Sequence, residues 1–374
     1  MKQKIRVLFF NHVSILSGGE KSLLDILTNI DRHKIEPILL CPTSGPLTEA
    51  AETNEIKVIK IKMDDNLLNY SRTTSNVSGI FSQMKNVLGT IRLVRKVIKE
   101  EDIDILYSNS MKAHLISSAA TIFQNTKSIW HVRDIIDNKL LSHITNLFSI
   151  LPNRVICISK AVKDQFYFKK NKTIIFNGIK SRGNVTETKS EDNLFRIAII
   201  GQIAKWKGQE TLIKAANEIL KTRKDFRFFV VGEALFKDEI TYKDHIKSIA
   251  HPDIEFLGYR KDIPELINHF DLLVHAAIKP EPFGRIIIEA MDAGIPIIAT
   301  NIGGPKEIID DKKTGFLYEP GDYLSLTNEL LTLSEERTCL KKVSQAAKLR
   351  FESNFRLENT INQIELVIMD TIRR

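Results

Sequence analysis

The chain reads as an α/β protein made of two parallel-sheet halves, and three observations predict this. Short β-branched or apolar runs alternate with amphipathic helical stretches along nearly the whole length. The alternation breaks once, at a polar stretch beginning near residue 180, and then starts again. At 374 residues the chain is also too long for one ordinary hydrophobic core.

The strands of the first half are expected at 5–12 (IRVLFFNH), 36–41, 56–61, 103–108, 127–132 and 154–159. Amphipathic stretches such as Glu20–Ile30, Met84–Glu100 and Met111–Gln124 fall between them. This rhythm predicts a parallel sheet with helices on both faces. TIIFNG (173–178) ends in the Asn-Gly turn signal, and the polar residues that follow predict a linker over 181–193. Strands resume at 194–201, 226–232, 254–258, 271–277 and 296–300, separated by helices near 208–222 and 237–249, a short one from Asp262, and one after Phe283. Pro264 suits the start of the short helix, where its missing N–H costs nothing. The tail from about Ser325 is expected to be helical throughout. The expected division is therefore 1–180, a linker 181–193, 194–354, and a final helix over 355–374 packing back on the first domain. Two Rossmann-like domains facing a cleft result, with ligands at the carboxyl ends of the strands.

Composition narrows the class. Apolar content of 43% and charged content of 27% are those of a soluble globular protein. No run of 18 uncharged apolar residues predicts a membrane span. The basic, briefly apolar N-terminus fits an opening strand better than a signal peptide. Cys41, Cys157 and Cys339 form neither a metal spacing nor a disulfide framework, so a cytoplasmic location is expected. Residues 1–180 hold 26 Lys and Arg against 16 Asp and Glu, whereas the remainder holds 28 against 30. The positive half suits an anionic partner or a solvated surface. Nucleic acid is not expected, because no recognition helix and no aromatic-basic interleaving occurs.

The most informative stretch is KPEPFGRIIIEAMDAGIPIIAT (279–300). Pro282 forces Glu281 into an extended conformation, outside the helix that follows. Gly284 permits a close backbone approach, and the amides of Phe283, Gly284 and Arg285 stand at the helix start, a natural phosphate site. Glu289, one turn in and on the face of Arg285, can accept hydrogen bonds from vicinal hydroxyls such as those of a ribose. The plainer reading is a surface helix with an Arg285–Glu289 pair, which leaves the Pro-Phe-Gly turn and the apolar Ile286, Ile287, Ile288 and Met291 unexplained.

EPFGRIIIE resembles the Glu-x7-Glu motif of the retaining glycosyltransferases of family 4, which have the GT-B fold. The resemblance extends over SGGEKSLLDIL (17–27), WHVRD (130–134), VICISKAVKDQF (155–166), IIFNGI (174–179), GQIAKWKGQETLIKAA (201–216) and TNIGGPKEIIDDKKTGFLYEPGD (300–322). It implies transfer of a sugar from a nucleoside-diphosphate (UDP or GDP) sugar to a glycan or lipid-linked acceptor, in surface-polysaccharide or glycolipid assembly. Gly18 and Gly19 would lie near the donor diphosphate, His131 against the transferred sugar, and Lys207 on the diphosphate. Glu281 would hold the sugar, Glu289 the ribose, and Gly258, Tyr259 and Arg260 the base. Asn109, Lys112, His114 and Arg133 would line the acceptor side, His114 being as well suited to the core. One departure is Gln202, where the family usually has an arginine; Arg285 could supply the missing charge.

Asp102-Ile-Asp104 matches the Asp-x-Asp of metal-dependent transferases, but it stands at the amino end of a strand, so no metal and no cofactor are expected. The basic amphipathic helix over 84–100, with Lys85, Arg92, Arg95, Lys96 and Lys99, is either a peripheral contact with an anionic membrane at its inner face or a packed helix with a solvated basic face. The rival to the enzyme is a catalytically silent nucleotide-sugar-binding subunit.

Overall fold

The computed structural model describes residues 4–63, 77–183 and 192–373, with backbone alone for 77–85. It divides into two units, Met1–Asn177 with Leu357–Arg374, and Gly178–Arg356.

The first unit is built on β1 (Ile5–Phe10), β2 (Ile35–Cys41), β3 (Lys57–Lys60), β4 (Ile105–Ser108), β5 (Lys127–Val132), β6 (Arg154–Cys157) and β7 (Lys172–Ile174). All pair in parallel, in the order β3-β2-β1-β4-β5-β6-β7. Its helices include α1 (Gly18–Asn29), α2 (Pro46–Thr53), α3 (Val77–Glu100), α4 (Met111–Thr121), α5 (Lys139–Phe148) and α6 (Lys160–Asp164). Successive β1 side chains serve opposite faces. Val7 and Phe9 join Leu23, Ile26 and Leu27 of α1, whereas Leu8 and Phe10 join Val94 and Val97 of α3 and Ile116 of α4. A strand covered on both faces has to be apolar throughout, which the run VLFF supplies.

The second unit repeats the plan with β8 (Phe195–Ile200), β9 (Phe226–Val231), β10 (Ile254–Gly258), β11 (Leu272–His275), β12 (Ile297–Thr300) and β13 (Phe316–Tyr318), ordered β10-β9-β8-β11-β12-β13. Its helices are α7 (Gln209–Leu220), α8 (Lys237–Ile249), α9 (Ile263–Leu266), α10 (Arg285–Ala293), α11 (Pro305–Ile308), α12 (Tyr323–Glu335) and α13 (Arg337–Asn354) among the described residues. The chain then ends in α14 (Leu357–Arg373), whose Leu357, Ile361, Ile364 and Ile368 complete the first unit's core on the α1 side. In each sheet the strand order reverses once, between β1 and β4 and between β8 and β11. Loops leaving the carboxyl ends there part to opposite faces and leave a crevice.

Several sequence expectations shift. Helix α1 opens at Gly18 rather than Glu20, with Ser17 as its N-cap. In α3, Val94, Val97 and Ile98 are spent in the core, which is the packed-helix alternative over that part of its length. The side chain of Lys85, and residues 184–191 of the expected linker, lie outside the described residues. Ile286 is only half-buried, while Ile287, Ile288 and Met291 are buried. Asp104 precedes β4 at the amino end of the sheet, where its carboxylate accepts the Arg6 N–H at 2.8 Å. Among the described residues no helix is long and apolar enough to cross a membrane.

Candidate active site

In the second unit the carboxyl ends of β8, β11 and β12 bring three ionisable side chains together. After β8 the chain makes one tight turn, Lys205–Lys207, closed by Gly208 at φ 70°. Gly208 lies so close to the end of β11 that a Cβ there would fall 1.9 Å from the Ala276 carbonyl oxygen, so only glycine fits. The Ile278 N–H donates to the Trp206 carbonyl at 2.9 Å and fastens the same two loops. The result is Lys207 Nζ 2.7 Å from Glu281 Oε1 and 4.3 Å from the Trp206 ring centroid.

Glu281 accepts a second bond on Oε2, from His275 Nε2 at 2.6 Å. The other ring nitrogen, His275 Nδ1, is buried with no hydrogen-bond partner among the described residues. Glu281 is buried, and burial alone would raise its carboxyl; Lys207 and His275 outweigh this and hold it well below the ordinary carboxylate range. Its backbone is clamped by the loop after β12. The Gly304 N–H donates to the Glu281 carbonyl at 2.8 Å, and Cβ atoms on Gly303 and Gly304 would fall 2.5 Å from Glu281 O and 2.4 Å from Phe283 Cα. Phe283 is buried and meets the Phe355 ring edge-on.

Pro282 and Gly284 then lead into α10, with Gly284 at the N-cap. Arg285 Nε bonds Glu289 Oε1 at 3.2 Å, so the pair of the plainer helix reading is present. Gln202 donates through Nε2 to Glu239 at 2.6 Å, and its carbonyl accepts from Gln209. Gly258, Tyr259 and Arg260 stand at the carboxyl end of β10. Tyr259 is exposed, and the Arg260 guanidinium is held by both oxygens of Asp262.

In the first unit the corresponding end of the sheet is buried and polar. Arg133, just past β5, donates to Asn109 Oδ1 at 2.7 Å and to Asn177 Oδ1 at 2.6 Å, and its Nη2 lies 3.2 Å from His131 Nδ1. The Tyr107 hydroxyl sits 2.6 Å from the same nitrogen. Burial, the Arg133 charge and His114 keep the His131 pKa well below its ordinary value, so the ring is neutral. Tyr107 and Arg133 both approach Nδ1 as donors, which puts the proton on Nε2, and that N–H is buried without a partner among the described residues. Gly19, in the first turn of α1, would place a Cβ 3.5 Å from Arg133 Cδ, so the glycine loop and the arginine are neighbours; Gly18 is open. Ser17 Oγ and Asn11 Nδ2 both bond the Glu20 carboxylate. His114 belongs to the core: it stacks on Trp130 at 5.0 Å, bonds Ser108 Oγ at 2.7 Å, and burial brings its pKa down to about 3. Lys112 lies in the first turn of α4, half-buried, and burial lowers its pKa.

The structure thus joins Lys207 to Glu281, Arg285 to Glu289, and Arg133 to both His131 and Asn109. His275 was not among the sequence candidates. Its one signal is a histidine closing a buried strand six residues before Glu281.

Residues 16–181 match the family described as Glycosyltransferase Family 4, and residues 184–350 that described as Glycosyl transferases group 1. The chain is 21% identical to the UDP-Gal:alpha-D-GlcNAc-diphosphoundecaprenol alpha-1,3-galactosyltransferase of Escherichia coli, over 99% of this chain and 98% of that one. It is 32% identical to spore coat protein SA of Bacillus subtilis over 42% of this chain, a match spanning 44% of that protein. Among solved structures, Anabaena HepE in complex with UDP and glucose superposes with a TM-score of 0.80 at 23% identity, covering 98% of this chain and 99% of HepE. A glycosyltransferase from Rickettsia africae superposes with a TM-score of 0.82 at 22% identity, covering 99% of both chains.

Proposed function

The chain belongs to the GT-B glycosyltransferases, and from that premise we propose that it moves a sugar from a nucleoside-diphosphate sugar to a hydroxyl of a glycan or lipid-linked acceptor, with retention at the anomeric carbon and without a metal. The observation that carries this reading is the Lys207–Glu281–His275 cluster at the carboxyl ends of β8 and β11. A buried ion pair contributes little to stability that apolar residues would not, so its presence at a sheet's switch point asks for a ligand. Diphosphate and sugar hydroxyls fit it. The Lys207 ammonium neutralises charge that grows on the leaving diphosphate, and the Glu281 carboxylate accepts from sugar hydroxyls.

Glu289 takes the ribose hydroxyls, Gly258 to Arg260 meet the base, and Gly18, Gly19, Phe283 and Gly284 offer backbone contacts. His131 donates its Nε2–H to a sugar oxygen; a neutral imidazole with its Nδ1 already engaged is a hydrogen-bond donor, not a base. On the sugar's other face no carboxylate serves as nucleophile in this reading. The acceptor oxygen bonds to the anomeric carbon as the carbon–phosphate-oxygen bond breaks on the same face, and the departing phosphate oxygen takes the acceptor proton. UDP is the first donor to try, because HepE was solved with it, and a polyprenyl-diphosphate glycan is the first acceptor, because the Escherichia coli relative is named for one. Incubating the purified chain with UDP-, GDP- and ADP-sugars, with and without EDTA, tests the proposal. Release of one nucleoside diphosphate, undiminished by EDTA, is expected. No release from any donor with acceptor present overturns transfer, and loss of release in EDTA overturns metal independence.

A further inference from the structure

Helix α5 is assembled inside out. Its polar residues Thr145 and Asn146, and Ser149 at its C-cap, are buried, whereas Leu140, Ile144 and Leu147 are 70%, 39% and 63% exposed. These three recur at i, i+4 and i+7 and so form one stripe, with Leu141 beside it also exposed. The inward polar groups are satisfied. Asn146 Nδ2 donates to the carbonyls of Ser142 and Gln165, its Oδ1 accepts the Tyr167 N–H at 2.6 Å, and Ser149 Oγ donates to the Asn146 carbonyl. Turning the helix over would strip these bonds, so the outward leucines are the designed orientation.

The segment after α6 extends the face. Tyr167 Oη lies 2.8 Å from His143 Nδ1 on α5, and Tyr167 and Phe168 are both more than half exposed, as are Ile150 and, nearly so, Leu151 beyond the helix. An apolar face of this extent marks an interaction surface. Its surroundings say what kind. From residue 137 to residue 170 the chain carries six cations (Lys139, Arg154, Lys160, Lys163, Lys169 and Lys170) and two acids, Asp137 and Asp164. Arg154 is paired with Asp370 at 2.6 Å and Lys169 with Asp164 at 3.2 Å, and neither pair takes up Lys139, Lys163 or Lys170. Leucines and aromatics on the outward face with lysines about it are the composition of an interfacial helix. Helix α3, the other basic helix, has Val94, Val97 and Ile98 committed to the core.

We propose that this face docks the chain on an anionic lipid bilayer, with the α5 leucines in the boundary between headgroups and acyl chains and the lysines on lipid phosphates. No residue of the candidate active site takes part, so the proposal stands or falls apart from the donor reading.

Sedimentation of the full chain with vesicles of phosphatidylcholine alone, or mixed with phosphatidylglycerol, tests it. Binding to the mixed vesicles and not to the neutral ones is expected. Leu140→Ser with Leu147→Ser should lower partitioning by about a hundredfold, and Lys139→Glu with Lys170→Glu by about thirtyfold or more, with nucleotide release in solution unchanged. Lys96→Glu with Lys99→Glu on α3 is the control and should leave binding in place. Should a polar pair disturb folding, Leu140→Trp gives a second readout, a blue shift of indole emission when mixed vesicles are added. Equal binding to neutral vesicles, or an unaffected leucine pair, overturns the proposal. So does loss of binding in the α3 control alone, or a lipid-free dimer that the leucine pair abolishes.

Discussion

At Glu281 one largely buried carboxylate is held by an ammonium at 2.7 Å and an imidazole at 2.6 Å. Removing one partner should therefore be costly. Lys207→Ala leaves a buried carboxylate half-satisfied and should destabilise the fold by about 3 kcal/mol in urea unfolding. The double change Lys207→Ala with Glu281→Ala should cost less than the sum of the singles, and strict additivity would mean the contact carries no energy. The pH dependence has a definite sign. The folded-state pKa of Glu281 lies below its unfolded value, so the ionised group stabilises the fold above the ordinary carboxyl range, and this is lost as pH falls through the folded value. Acid unfolding below about pH 4 should be steeper for wild type than for Glu281→Gln by circular dichroism; equal slopes would contradict the assignment. Arg285→Ala should lower donor turnover roughly tenfold if Arg285 replaces the cation that Gln202 lacks, and unchanged turnover would remove that role. Glu281, Lys207 and Glu289 were readable as candidates because proline, glycine and helix spacing flank them. His275 was not, since a single histidine at a strand end has no spacing signal and its partner is chosen by the path of a loop.

Among the elements, turns set the site's geometry more than helices do. The loops after β8 and β12 press glycine backbone against the chain that carries Glu281, and a single methyl at Gly208, Gly303 or Gly304 has no room. Gly304→Ala should cost about 2 kcal/mol or more and abolish nucleotide release, read by thermal melting and donor turnover; a wild-type melting point would show that the clamp is loose. Helix α14 contributes four buried apolar side chains to the first unit, at about 2 kcal/mol each. Strand and helix positions were legible because both sheets are buried on two faces and their strands are apolar runs. Which way an amphipathic helix faces was not legible. Periodicity gives the contrast between the two faces, and only the contacts made by Thr145 and Asn146 in α5, or by Val94 and Val97 in α3, say which face turns inward. The glycine pair at 303–304 likewise stood in a quoted motif without a role until its neighbours were known.

Across the whole molecule the same strand order appears twice, and each sheet gathers its candidate residues at the carboxyl ends of its strands, those flanking the reversal and also β5 and β10. The repetition was visible in the sequence as a restart of the strand–helix rhythm, because every parallel strand needs its own crossover. Strand order itself was not, since rhythm does not say which neighbours pair. The excess positive charge of residues 1–180 belongs to a unit whose basic residues are spread over α3 and the surroundings of α5, so charge alone could not single out a surface. The central claim is that Lys207, Glu281 and His275 hold the donor, and it is tested most directly by nucleoside-diphosphate release from the preferred donor by wild type and by the near-isosteric Glu281→Gln. A fall in kcat of about a hundredfold or more, in a variant whose melting at neutral pH remains cooperative, is the predicted result. Wild-type turnover by that variant would contradict it.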